Sequence, residues 1–90
     1  MSLKETLQTL FMISGRQIRA ARALLGWSGQ KLADKCGISL KTLRRYEPQN
    51  GIPAGNTKVL ESIESVLEGH GIVFSGDPVK SPGVSLDQKY

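Results

Sequence analysis

The 90-residue sequence is poor in the residues that staple or ligate. It has one cysteine and one histidine. A lone Cys36 excludes an internal disulfide and a cysteine-based zinc site. With His70 as the single imidazole, a catalytic metal would have almost no ligands to draw on. Long apolar runs are missing too. The longest is Leu10-Phe11-Met12-Ile13, too short to span a bilayer, and no basic start followed by an apolar stretch marks a secretory signal. No nucleophile–base pair points to catalysis. The expectation is a protein of the reducing cytoplasm that is not an enzyme, has no cofactor, metal or small-molecule ligand, and does not engage a membrane.

What is present reads as globular: 39% hydrophobic and 22% charged residues. Ninety residues leave room for one core, and a chain this short buries only about 60–65% of its unfolded surface, so help from a partner subunit is expected. The net charge of +4 is unevenly spread. Residues 1–47 carry nine Lys/Arg against three acids, whereas residues 48–90 carry three lysines against five acids. A basic half joined to an acidic half suggests one polyanion-facing side.

Hydrophobic spacing and caps divide the chain. Leu3, Leu7, Leu10 and Phe11 make an amphipathic stripe, so residues 1–13 read as an N-terminal extension with a short helix. Ser14 is an N-cap for a helix running to about Leu25, with Ile18, Ala21, Leu24 and Leu25 inward and Arg16, Arg19 and Arg22 sharing the other face. Gly26 stops it. Ser28 caps a second helix, Gly29 to Cys36, and Gly37 breaks it. Ser39 caps a third, Leu40 to about Tyr46, with Leu43 and Tyr46 inward. Residues 48–55 hold two prolines and two glycines and must be a loop. Asn56 caps a fourth helix over residues 57–68 on Leu60, Ile63 and Leu67. The period then changes: Ile72–Phe74 and Val84–Leu86 read as strands around a turn-rich stretch. Residues 14–71 thus form the compact unit, and residues 72–90 a tail whose strands must pack on the helices or pair across a dimer axis.

The informative stretch runs from Gly29 to Glu47. Two helices crossing steeply need a small residue where they meet, which Ala33 supplies. The tight turn between them needs positive φ, which Gly37 supplies. Ile38 and Leu43 anchor the second of the two, leaving Ser39, Lys41, Thr42, Arg44 and Arg45 outward. An exposed helix with three cations and two hydroxyls suits a DNA major groove.

Ile18, Arg22, Gly26-Trp27-Ser28, Leu32-Ala33, Gly37-Ile38-Ser39, Leu43 and Tyr46-Glu47 together resemble the lambda-repressor-like, xenobiotic-response-element class of helix-turn-helix regulators. The resemblance covers about Ile18 to Leu67. It implies a mainly α fold of four to five helices, here with a C-terminal strand pair, that binds double-stranded DNA. It assigns base reading to Leu40, Lys41 and Arg45. Lys41 and Arg45 suit guanine O6 and N7, and Leu40 suits either a thymine methyl or a core or subunit contact. Phosphate contacts fall to Ser28, Gln30, Ser39, Thr42 and Arg44, joined by Arg16 and Arg19. The resemblance also pairs Arg22 with Glu47 as a structural salt bridge. One position departs: Gly29 stands where the family usually has a Gln that contacts phosphate and braces the recognition helix.

Duller roles fit several other residues. Trp27 reads as a core plug, Cys36 as half-buried packing in preference to a redox thiol activated by Lys35, and His70 as part of a helix C-cap. The function expected is a transcriptional repressor acting as a homodimer on a palindrome, with the C-terminal strands as the dimer contact. The alternative is the antitoxin of a toxin–antitoxin pair, whose tail would hold the toxin.

Overall fold

The computed structural model describes residues 13–88. The helix expected over residues 3–11 lies outside them. The described residues form four helices, α1 (Gly15–Leu25), α2 (Gly29–Cys36), α3 (Leu40–Tyr46) and α4 (Thr57–Gly69), followed by strands β1 (Ile72–Ser75) and β2 (Gly83–Leu86).

Short polar side chains start each helix by accepting an otherwise unsatisfied N–H of its first turn. Ser28 accepts from Lys31, Ser39 from Thr42 and Asn56 from Lys58. At α1 the exchange is reciprocal: Ser14 Oγ accepts the Gln17 N–H at 3.2 Å, and Gln17 Oε1 accepts the Ser14 N–H at 2.8 Å. Left-handed Gly37, at φ 69°, ends α2, and the next N–H, of Ile38, returns to the Ala33 carbonyl at 3.0 Å. A Cβ at Gly37 would meet nothing within 4 Å, so the demand for glycine there is conformational and not a matter of space.

One apolar stripe from each helix closes the core. Ile18 and Ala21 of α1, Leu32 and Ala33 of α2, Leu43 of α3, and Ile63 and Leu67 of α4 are fully buried. Fully burying a Leu or Ile side chain is worth about 1.5–3 kcal/mol, which outweighs the poor intrinsic stability of helices of eight and seven residues. No described helix is long and apolar enough to cross a membrane.

The two strands pair antiparallel with Ile72 opposite Leu86 and Ser75 opposite Gly83. They are not a detached tail. Ile72 is in the core, Phe74, Val84 and Leu86 pack on it, β2 lies against α1, and β1 lies against α4. Buried Gln17 fastens the end next to the connecting loop: its Nε2 donates to the Gly83 carbonyl at 3.0 Å and the Ser75 carbonyl at 3.4 Å. One side chain thereby joins the cap of α1 to both strands.

Helix α4 carries Glu61, Glu64 and Glu68 at spacings of three and four, on one stripe. Glu64 is half-buried, and that burial, with repulsion from Glu68 and then Glu61, pushes its carboxyl up to about 7. A carboxyl raised in the folded state binds its proton there before it does in the unfolded chain. Its stabilising contribution is therefore complete below the unfolded value near 4.5 and is lost as pH rises through about 7. Glu64→Gln should raise the Tm at pH 7.5 and flatten the Tm–pH profile between pH 5 and 7.5, as read by thermal denaturation. An unchanged slope in the variant would remove Glu64 as its source.

Candidate nucleic-acid interface

Helix α3 is seven residues long and turns Leu43 and Tyr46 inward. That orientation leaves Lys41, Arg44 and Arg45 exposed. Lys41 and Arg45 are four apart, and Arg44 is three from Lys41, so the cations share one outward stripe. Ser39 and Thr42 sit at its start. Ser39 Oγ accepts the Thr42 N–H at 3.0 Å and lies 2.9 Å from Thr42 Oγ1.

The far end of α3 is held by α1. Arg22 Nε donates to Glu47 Oε2 at 2.8 Å, and Arg22 Nη1 donates to the Trp27 carbonyl at 3.1 Å. Glu47 is only 8% exposed, so its carboxylate depends on this guanidinium for a partner. Arg19 Nη1 donates to the Glu47 carbonyl, and its Nη2 reaches Asn50 Oδ1 at 3.5 Å. Between these contacts the first turn of α1 runs against the last turn of α3. A Cβ on Gly15 would lie 2.6 Å from the Tyr46 carbonyl oxygen and 2.7 Å from that of Glu47, so the approach requires glycine.

The three arginines of α1 therefore do not share one face. Steps of three residues rotate about 60° around a helix, and over Arg16, Arg19 and Arg22 the drift separates their roles. Arg22 and Arg19 turn to the end of α3. Arg16 stays exposed beside a groove lined by Pro82 and Val84. Arg19, expected at phosphate, has its guanidinium engaged within the chain.

On α2, Ser28 is exposed and its Oγ accepts the Lys31 N–H at 3.1 Å. Gln30 is also exposed, with its Nε2 donating to Asp34 Oδ1 at 2.8 Å, so its amide lies along α2 and not across to α3. Leu40 differs from the other base-reading candidates. It is half-buried and packs on the core, whereas Lys41 and Arg45 are exposed.

The residues given duller roles are placed as follows. Trp27 is half-buried against the core with the His70 ring edge-on at 4.7 Å and Lys31 Nζ 5.5 Å from its ring centre. His70 caps α4, with Nδ1 2.8 Å from the Val66 carbonyl oxygen. Burial pushes the Cys36 thiol up to about 11, so it stays protonated at neutral pH and Lys35 does not activate it. Among the described residues no cluster of His, Cys, Asp or Glu is arranged to hold a metal ion.

Two contributors were not singled out from the sequence. Gln17 had a signal, the Ser14-x-x-Gln17 capping pattern on the core face of α1. Gly15 had a fainter one, a glycine in a first helical turn where nothing stops.

The model of a family described as helix-turn-helix matches residues 18–68, from within α1 to the end of α4. Comparison with curated proteins and with solved structures gives no match.

Because Glu47 is buried and Arg22 is its charged partner, removing either side alone strands a charge. Arg22→Met and Glu47→Gln should each destabilise the fold by about 1–3 kcal/mol. The double variant should lose less than the sum, by about 1 kcal/mol or more in a denaturation cycle. Additive losses would show that the pair does not act as a clamp.

Proposed function

The chain belongs to the lambda-repressor-like helix-turn-helix family of DNA-binding regulators, and on that premise we propose that it is a sequence-specific repressor that reads duplex DNA with α3. The observation that carries this reading is the orientation of α3, held from behind at Glu47 while Lys41, Arg44 and Arg45 face outward. A helix so displayed fits the major groove, where Lys41 and Arg45 donate to guanine O6 and N7. Each such pair discriminates by about 1–3 kcal/mol.

Phosphate contacts fall to Arg44, Thr42 and Ser39 on α3, to Ser28 and Gln30 at the start of α2, and to exposed Arg16. These position the protein without reading sequence. Arg19 contributes indirectly by holding the end of α3.

A single module of this size offers little contact area, so two copies act on a palindrome with half-sites about one helical turn apart. The hairpin supports this as the dimer contact. Neither of its strands carries a charged residue, and Val73 on β1 is 46% exposed. Occupancy of a promoter by such a dimer is sufficient for repression.

Selection of sites from random duplexes, with the mass of the free protein measured in solution, tests the proposal. A preferred palindrome and a dimer mass are expected. Five to seven phosphate contacts per subunit give a slope of log K against log salt near about −5 or −6. Arg45→Ala should weaken the selected site by about 1–3 kcal/mol and relax preference at one base position. Equal weakening on every sequence would move Arg45 from base reading to phosphate.

A further inference from the structure

Gly29 has no backbone reason to be glycine. It is the first residue of α2 and is not among the residues with positive φ. Within a helix, glycine carries a conformational penalty that alanine does not. What occupies the space above it is Leu40, the first residue of α3. A Cβ at position 29 would lie 3.3 Å from Leu40 Cδ1 and 3.9 Å from Leu43 Cδ2. The first distance is closer than ordinary van der Waals contact, so Leu40 would have to shift by a few tenths of an ångström.

The two ends of α3 are thus held differently. Its C-terminal end is fixed by charged groups of α1, the Arg22–Glu47 pair and the Arg19 contact to the Glu47 carbonyl. The cap at its N-terminal end, Ser39 with Thr42, lies within the same short segment and ties it to nothing else. Across to α2 the turn before that end is tied by the Ile38 N–H on the Ala33 carbonyl, while α3 itself leans on the side chain of Leu40 over the bare backbone of Gly29.

We infer that Gly29 and Leu40 form the seat that sets the tilt of the recognition helix, so that Leu40 is a positioning residue and Gly29 a determinant of base preference that touches no base. The inference rests on the DNA-binding reading above. With the Glu47 end pinned, a side chain at position 29 lifts the Leu40 end. Lys41, next to Leu40, moves furthest, and Arg45, one turn nearer the clamp, moves least. Preference therefore changes at the base pairs beside Lys41 and is kept at those beside Arg45. The phosphate contacts number the same, so the salt slope is retained.

The test is a cycle of Gly29→Ala, Leu40→Ala and the double variant, each run through site selection and titration of the wild-type site, with circular dichroism and Tm confirming a folded domain. Gly29→Ala should weaken the wild-type site about five- to tenfold and alter preference at the Lys41 base pairs alone. Adding it to Leu40→Ala, which opens the space, should have no further effect. Leu40→Ala by itself should broaden preference at those same base pairs. Should Gly29→Ala leave preference unchanged, or weaken all sequences alike, the seat is overturned. A lost thymine preference in Leu40→Ala with Gly29→Ala silent would also overturn it, making Leu40 a direct reader. Wild-type protein that selects no site removes the DNA reading and this inference with it, whereas a selecting wild type with indifferent variants removes the inference alone.

Discussion

The docking of the start of α1 onto the end of α3 is the constraint on which the rest depends. A helix ends with carbonyls that have no partner of their own, and a seven-residue helix has little stability to hold itself in place. Here the absence of a Cβ at Gly15 lets the α1 backbone reach those carbonyls, Arg19 donates to one of them, and Arg22 binds the Glu47 side chain. Positive groups at the C-terminal end of α3 also complement its dipole. Because Arg22 holds the Trp27 carbonyl as well, α1, the turn into α2 and the end of α3 are tied through one guanidinium.

Charge follows the same division. The cations of α3 gather on an exposed stripe, and the acids gather on α4, where burial, and then repulsion from Glu68 and Glu61, push the Glu64 carboxyl up to about 7. Cations gathered on one element and acids on another give the molecule an uneven field toward a polyanion. The hairpin belongs structurally to the helical body through Ile72 and Gln17.

Most of the fold was legible in the sequence because its signals are local. Ser14, Ser28, Ser39 and Asn56 are caps by their own chemistry, Gly26 and Gly37 are stops by theirs, and the core stripes follow from spacing except at Leu24, expected inward but 46% exposed at the end of α1. What escaped were contacts between elements distant in the chain. Nothing near Arg19 in the sequence says that its guanidinium meets the Glu47 carbonyl 28 residues on, whereas the Arg22–Glu47 pairing was legible only through family resemblance. Leu40 fits both a base contact and a packing role until the space above Gly29 is known. Gln17 was hidden for another reason: a polar residue on an apolar face breaks the pattern unless its partners, here the carbonyls of Ser75 and Gly83, are known.

The proposed function requires that α3, clamped at Glu47, meet DNA with its outward stripe. Mapping backbone amide shifts across the protein as a selected duplex is added tests this most directly. The account predicts that the changes concentrate at Ser28–Gln30 and Ser39–Arg45 and spare the acidic stripe of α4. Changes centred on Glu61, Glu64 and Glu68, with Lys41 and Arg45 undisturbed, would contradict it.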